Sequence, residues 1–404
     1  MKNRNGVVLI VVLWLLIIVA ALSFSLASTV QSLQVDTSLA IKESALESAI
    51  ESQVANVSAM LAADNNEYDH LSEAHYQRTA STWRRQFDST RAMVTTLRPE
   101  DIAAPHAAVR SILGISDLAS RINLTTTSAE IMAQLPGMEP AVVDKMIDYR
   151  SRMQGRSQPW QLLNDWYQSW QQWGGESADG PPQAEVLACV TLFSAGPQLD
   201  SNGRARVNIN TASLQRLRER LGDALSSEQT TALYQSRARQ PFSSIAEPLT
   251  RPLTMVDDQG SRMVYIEPAT YRRIVDRIAV TDKSVVAGRI NVNTAPVAIL
   301  SLLDGMEPDM LARVISRRVG VGSSARDIGW LLDDLRPDQF AKLADQVTTR
   351  SYQFTADVIA STNDGAICRA TRCIWQRKGG KVSLLRYQPL SGVQWPRQLW
   401  ESGG

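Results

Sequence analysis

His70, His75 and His106 are the only histidines in this 404-residue chain, and all three fall in one early segment. Cys189, Cys368 and Cys373 are the only cysteines. So sparse a supply leaves little room for a histidine-based catalytic triad or a Cys/His zinc site. Cys368 and Cys373 are five residues apart. In one straight strand their Cα atoms would be about 16 Å apart, beyond the roughly 7 Å that a disulfide tolerates. A bond between them therefore demands a bend at Arg369 to Arg372. A bridge from Cys189 to either one, or three free thiols, are the other options. Asp200-Ser201-Asn202-Gly203 carries oxygens of the kind Ca²⁺ takes, but the EF-hand spacing is absent and a solvated turn is the commoner use of such residues. Trp160, Trp166, Trp170 and Trp173 follow at steps of six, four and three, which reads as helix packing, with any exposed part a partner surface. No nucleophile–base–acid set and no metal set emerges, so the sequence predicts neither an enzyme nor a cofactor.

The composition sets further bounds. Forty-two basic residues face 41 acidic ones, for a net charge of +1. There is no global basic field to gather nucleic acid or an anionic membrane surface. With 44% hydrophobic and 21% charged residues the chain reads as globular, and its length allows two or three domains.

The first element that must position anything is at the N-terminus. Residues 1–6, Met1-Lys2-Asn3-Arg4-Asn5-Gly6, are polar and basic. An apolar run, Val7 to Leu22, follows at once, and no charge appears until Asp36. That is close to the roughly 20 residues a helix needs to cross a bilayer. Lys2 and Arg4 predict that its N-terminal side stays cytoplasmic and that the bulk of the chain lies outside. Ser25-Leu26-Ala27 would serve as a signal-peptide cleavage site, but the helical pattern does not stop there. Leu39, Leu46, Ile50, Val54, Val57 and Leu61 trace one helix face, and neither Gly nor Pro occurs from Val7 to Leu61. The spacing predicts one helix, with a transmembrane part over 7–30 and an amphipathic arm beyond it.

The middle of the chain repeats itself three times, over 122–152, 207–239 and 290–318. The copies open Ile122-Asn123-Leu124, Val207-Asn208-Ile209 and Ile290-Asn291-Val292. A glycine stands fourteen residues after each asparagine: Gly137, Gly222 and Gly305. The threonines before each helical stretch suit N-caps, Thr127 and Glu130 fit a capping box, and Pro296 suits a first helical turn. Each glycine is expected to end its helix with a positive φ. Arg150 and Arg152, Arg237 and Arg239, and Arg317 and Arg318 would complement the dipole of the second helix. Two short helices joined by a glycine turn form a helix-hairpin-helix unit. The second copy is the weakest, with its Arg-rich Arg216-Leu217-Arg218-Glu219-Arg220. DNA-binding hairpins present free N–H groups and nearby Lys or Arg to phosphate. Here Glu139-Pro140 and Glu307-Pro308 follow two of the glycines, and Asp223 follows the third. The hairpins are acidic where a phosphate would dock, so no nucleic acid is expected.

Strands are expected at Ala92–Leu97, Ala108–Ile115 and Glu185–Phe193. Three more follow at Tyr352–Ile359, Ala366–Gln376 and Lys381–Tyr387. Asn363-Asp364-Gly365 and Lys378-Gly379-Gly380 are hairpin turns between the last three. The fold class is thus α+β: the N-terminal helix on an antiparallel sheet built from 31–115 and a meander over 349–404, with a mostly helical insertion over 116–348.

A basic leader closed by a glycine, then an apolar helix running into an amphipathic one, resembles a type IV prepilin N-terminus. That resemblance implies cleavage between Gly6 and Val7 by prepilin peptidase and methylation of the new amine. Most pilins carry Phe first and Glu fifth after the cut, whereas this chain has Val7 and Val11. Lack of that glutamate is a feature of the GspK family of type II secretion minor pseudopilins, whose helical domain also carries such hairpins. Here three repeats stand where two are the family pattern. A subunit at a filament tip has no neighbour above it to pair with a buried carboxylate, which would cost about 2.5 kcal/mol or more in lipid. The resemblance implies a non-enzymatic, single-pass inner-membrane protein with its C-terminal domain in the periplasm. Its partners would be the other minor pseudopilins, the major pseudopilin, prepilin peptidase and the inner-membrane secretion platform. Calcium, reported for some pseudopilins, is the only cofactor it suggests. The rival resemblance is to membrane-anchored helix-hairpin-helix proteins of DNA uptake.

Overall fold

The computed structural model describes residues 4–64, 68–71, 73, 76, 80–99, 109–135, 138, 140–153, 188–258, 260–318, 320 and 325–390. The Trp160–Trp173 group, His75, His106, Gly137 and Glu139 lie outside the described residues.

The chain opens with one helix, α1 (Arg4–Ala63). It begins three residues before the expected start at Val7, because nothing between Arg4 and Val7 breaks a helix. A glycine in the first turn gives up little, since the N–H groups there have no intrahelical acceptor anyway. Next come β1 (Arg84–Gln86), β2 (Thr90–Pro99), β3 (Val109–Leu113) and β4 (Ser116–Asp117). The repeats follow, and the chain closes with three long strands. The repeat region contains β5 (Ile122–Asn123), β6 (Val190–Thr191), β7 (Ala195–Pro197), β8 (Val207–Asn208), β9 (Leu253–Asp257), β10 (Gly260–Val264), β11 (Ile278–Ala279), β12 (Val285–Ala287), β13 (Ile290–Asn291) and β14 (Val347–Thr348). The closing strands are β15 (Gln353–Thr362), β16 (Cys368–Lys378) and β17 (Lys381–Leu390). Of the expected Glu185–Phe193 strand the described residues are 188–193, and among them Val190–Thr191 form a strand while Ala188 and Cys189 are helical.

The main sheet is antiparallel in the order β1-β2-β15-β16-β17, with β3 on β2 and β4 on β15. Early strand β2 thus lies beside late strand β15, and the whole repeat region is inserted between them. Gly365 (φ +71°), Gly379 (φ +56°) and Gly380 (φ +72°) supply the left-handed backbone the two tight hairpins require. One face of β15, Phe354, Ala356, Val358 and Ala360, meets Leu46, Ile50, Val57 and Leu61 of α1, together with Trp83, Cys373 and Trp375. Trp375 donates from Nε1 to Ser58 Oγ at 3.0 Å, so its polar atom is satisfied under the helix. The molecule is therefore α+β, a long N-terminal helix packed on an antiparallel sheet. Leu39 continues the stripe in sequence but is 43% exposed, because the buried apolar packing on the sheet begins only at Leu46.

Candidate assembly surface

Every residue of α1 from Leu9 to Lys42 is exposed. The exposed set includes Leu9, Trp14, Leu22, Phe24, Leu26, Leu33 and Ile41. Burying one such side chain is worth roughly 1.5–3 kcal/mol, and monomeric soluble proteins seldom leave an apolar patch beyond a few hundred Å² uncovered. At about 1.5 Å per residue the uncharged stretch Val7–Val35 is about 43 Å long, enough to span a hydrocarbon core. Two of its hydroxyls fold back onto the helix, Ser28 and Thr29 donating to Ser25 O at 2.8 and 2.9 Å, and just beyond it Thr37 donates to Leu33 O at 2.7 Å. Gly6 and Val7 lie in its first turns, and Val11 is 56% exposed. The lower half is fixed to the sheet, where Glu43 pairs with Arg369 and Ser52 Oγ accepts from Arg85 at 3.3 Å.

The repeats are larger closed units than the sequence suggests. The opening strand of each pairs in parallel with a strand near its end: Ile122 with Val190, Val207 with Ile278, and Ile290 with Val347. The asparagine pins the turn that follows. Its Oδ1 accepts from the backbone N–H two residues on, at 2.9 Å for Asn123, 2.9 Å for Asn208 and 3.1 Å for Asn291. In the outer copies Nδ2 donates to a serine after the closing strand, Ser194 or Ser351, each at 2.9 Å. In the middle copy Asp282 takes that place and accepts from Thr211 Oγ1 at 3.0 Å.

The expected helix pair opens each unit: α2 (Ala129–Met132) and α3 (Pro140–Met153), α4 (Leu214–Leu221) and α5 (Ser227–Arg239), and α6 (Val297–Leu300) and α7 (Pro308–Arg318); further short helices follow in the second and third units, at Glu247–Thr250, Pro268–Arg272 and Pro337–Leu343. The terminal arginines do more than face a dipole. Arg150 Nη1 donates to Thr127 O at 2.6 Å, Arg237 Nη1 to Ile209 O at 2.9 Å and Arg318 Nη1 to Ala295 O at 2.5 Å, each tying the second helix to its repeat's opening loop.

The expected caps are corrected. The threonine hydrogen-bonds at the turn, and the cap moves one or two residues on, to Ser128, Ser213 and Pro296. Thr127 and Glu130 form no capping box, because Ser128 is the residue whose side chain accepts from the N–H of Ile131. Pro296 is itself the cap. Gly305 has the expected positive φ, +77°, but Gly222 is right-handed at −68°. Glycine suits Gly222 for another reason: a Cβ there would fall 2.5 Å from Arg218 O.

The acidic hairpins are engaged internally. Gln346 accepts from Asp304 N at 3.1 Å and donates to Asp304 O at 2.9 Å, while Glu307 pairs with Lys342 at 3.0 Å. Asp223 pairs with Arg277 at 2.5 Å, and that bond holds its carboxyl below the usual range. Neither hairpin is laid out as a phosphate cradle.

The polar centre that sequence reasoning missed is the junction between the sheet and the third repeat. Asp117 Oδ2 accepts from Asn291 Nδ2 at 3.3 Å, from Thr294 Oγ1 at 2.8 Å and from Ser351 Oγ. Asp69 accepts from Ser351 N and from Arg377, each at 2.7 Å, and Arg377 also reaches Asp64. Burial opposes the charge on Arg377, but Asp69 and Asp64 outweigh it and raise its pKa. These partners lie hundreds of residues apart, and no local spacing signals them. Asp64, Asp69 and Glu73 bring ligand oxygens within 4.8 Å of one another, and Arg377 already supplies a positive charge there. His70 lies beside them, with Nε2 3.7 Å from Glu73.

Asp200, the calcium candidate, closes its own turn. Oδ1 accepts from the N–H groups of Asn202 and Arg204 at 2.9 Å each, and Oδ2 meets Arg220 at 2.7 Å. All three cysteines are free. β16 runs straight through Cys368 and Cys373 without the bend a bond between them needs, and burial pushes the Cys373 thiol up to about 12.

No family model matches the sequence, and no curated protein matches it. Among solved structures the chain is similar to one from the GspK-GspI-GspJ complex of the enterotoxigenic Escherichia coli type 2 secretion system. The identity is 15%, over 89% of this chain and 98% of that one, with a TM-score of 0.33. So distant a likeness transfers neither partner nor function.

Proposed function

We propose that this chain is a minor pseudopilin of a type II secretion system, set at the pseudopilus tip, where it helps start assembly and export across the outer membrane. The observation that carries the reading is α1. Its first half is bare and apolar, and its second half is fixed to an antiparallel sheet. A helix built this way holds the subunit in the inner membrane and then serves as the surface along which subunits bundle. The folded part would stand in the periplasm. The insertion of helix-hairpin-helix-like repeats widens the tip, and the work is mechanical rather than catalytic. Val11 in place of a glutamate suits the top of the filament, where no neighbouring amine lies above. The test is affinity purification of the tagged full chain from native membranes after mild cross-linking. Recovery of other subunits with pilin-type N-termini is expected, and recovery of none would refute the proposal. Acidic groups engaged at two hairpins weigh against the DNA-uptake alternative. Tight duplex binding that weakens steeply with salt would restore it.

A further inference from the structure

The three repeats leave through three short segments, and these converge. β7, which follows the first repeat, pairs antiparallel with β12, which follows the second. Residues 348–353, which follow the third, join them where Ala195 N donates to Gln353 Oε1 at 3.1 Å. A cavity of about 40 Å³ lies at the meeting point, lined in part by Ser194, Arg206, Arg289, Thr348, Arg350 and Tyr352. A single water needs roughly 10–15 Å³ of such space, so a group of a few heavy atoms fits.

Among the described residues three arginines and no carboxylate line it. Asp276 is shared: it accepts from Arg350 Nη2 at 2.9 Å through both oxygens, and from Arg206 Nη2 at 2.9 Å. Arg350 and Arg206 also donate to the same carbonyl, Leu199 O, at 2.5 and 3.1 Å. Arg289 makes no hydrogen bond and no ion pair among the described residues, and its buried Nε is unpartnered. Arg350, itself buried, also has an unpartnered Nε. Asp345 acts on Arg289 only through space, and Asp327 acts on Arg350 in the same way. Burial, with Arg206 adding to it, brings the Arg289 pKa down to about 10. Arg289 is half-buried; a cation partly withdrawn from water without a partner is costly, and a guanidinium fork matches the geometry of an oxyanion. Gly196 shapes the wall, since a Cβ there would lie 2.6 Å from the Tyr352 ring.

We propose that this cavity binds a small inorganic oxyanion of the sulfate or phosphate class, which neutralises Arg289 and ties the exits of the three repeats together. The test is thermal unfolding of the full chain in detergent at constant ionic strength, with gluconate exchanged stepwise for sulfate, for phosphate or for bromide. Above saturation the preferred oxyanion should raise Tm by roughly 1.5–2 °C per tenfold increase, and the larger response identifies the ion. Sulfate stabilises many proteins by exclusion from their surfaces, so Arg289→Met provides the control. In gluconate this variant should melt no lower than the wild type, and it should lose the oxyanion response. A wild type without any oxyanion response, or a variant that responds as strongly as the wild type, would overturn the proposal. Crystals soaked in selenate decide independently of the variant. An anomalous peak between Arg289 and Arg350 is expected, and density for water alone would overturn the site.

Discussion

Replacing Asn291 with alanine should destabilise the folded part more than the same change in either other repeat. Asn291 is fully buried, and its side chain makes three bonds: it accepts from Asn293 N and donates to Ser351 Oγ and to the Asp117 carboxylate. Asn123 accepts from Thr125 N and Oγ1 and donates to Ser194. Asn208 contributes only the turn bond from Asn210 N among the described residues. A neutral hydrogen bond nets about 0.5–1.5 kcal/mol and one to a charged group about 1.5–3, with a further penalty for any buried group left unpaired. The expected costs are therefore about 3–5 kcal/mol for Asn291→Ala, about 2–3 for Asn123→Ala and about 1–2 for Asn208→Ala. Urea unfolding of the full chain in detergent, followed by circular dichroism, measures these as midpoint shifts at constant slope. If Asn208→Ala costs as much as Asn291→Ala, the asparagines serve only the local turn, and the second bond across the repeat contributes nothing.

Three further outcomes are expected. Val11→Glu should weaken tip incorporation and secretion while leaving processing intact, because an acid placed alone in lipid costs about 2.5 kcal/mol or more; better incorporation along the filament body would remove the tip assignment. Asp327→Asn should raise stability at pH 7, with the gain fading as the pH falls towards 4. Burial and the nearby Asp276 raise the Asp327 carboxyl, so the folded state holds its proton to a higher pH than the unfolded one and loses stability as the pH climbs through that range; urea midpoints at pH 7 and pH 4 check it. Maleimide-polyethylene glycol should add once to the native chain, at exposed Cys368, and three times after denaturation, as counted on a gel.

Much of this fold was legible because its signals are local. The Gly365 and Gly379-Gly380 turns mark the hairpins, and the apolar run followed by a striped arm marks α1. The stripe misled only at Leu39, since periodicity says which residues share a face but not how far the partner sheet extends. The fourteen-residue Asn-to-Gly spacing marks where the three copies open and says nothing of where they close. β6, β11 and β14 are two residues long and carry no pattern of their own, so their parallel pairing is a product of tertiary packing. The caps slipped by one or two residues because runs such as Thr126-Thr127-Ser128 offer several hydroxyls, and only backbone geometry chooses among them. Gly222 was misread because a glycine can serve close approach as well as a left-handed turn. The Asp117, Asp69 and Arg377 centre was beyond reach, because its members come from both ends of the chain and meet only once the sheet has formed.

The central claim is that the apolar half of α1 is retained as an anchor after a short leader is removed. Intact-mass and N-terminal peptide analysis of the full chain, purified from native membranes, tests it directly. The account predicts a mature protein that begins at Val7, methylated on its new amine and keeping the whole apolar run. A mature protein that begins after Ala27 would contradict it, since the helix read as anchor and assembly surface would then be a discarded signal.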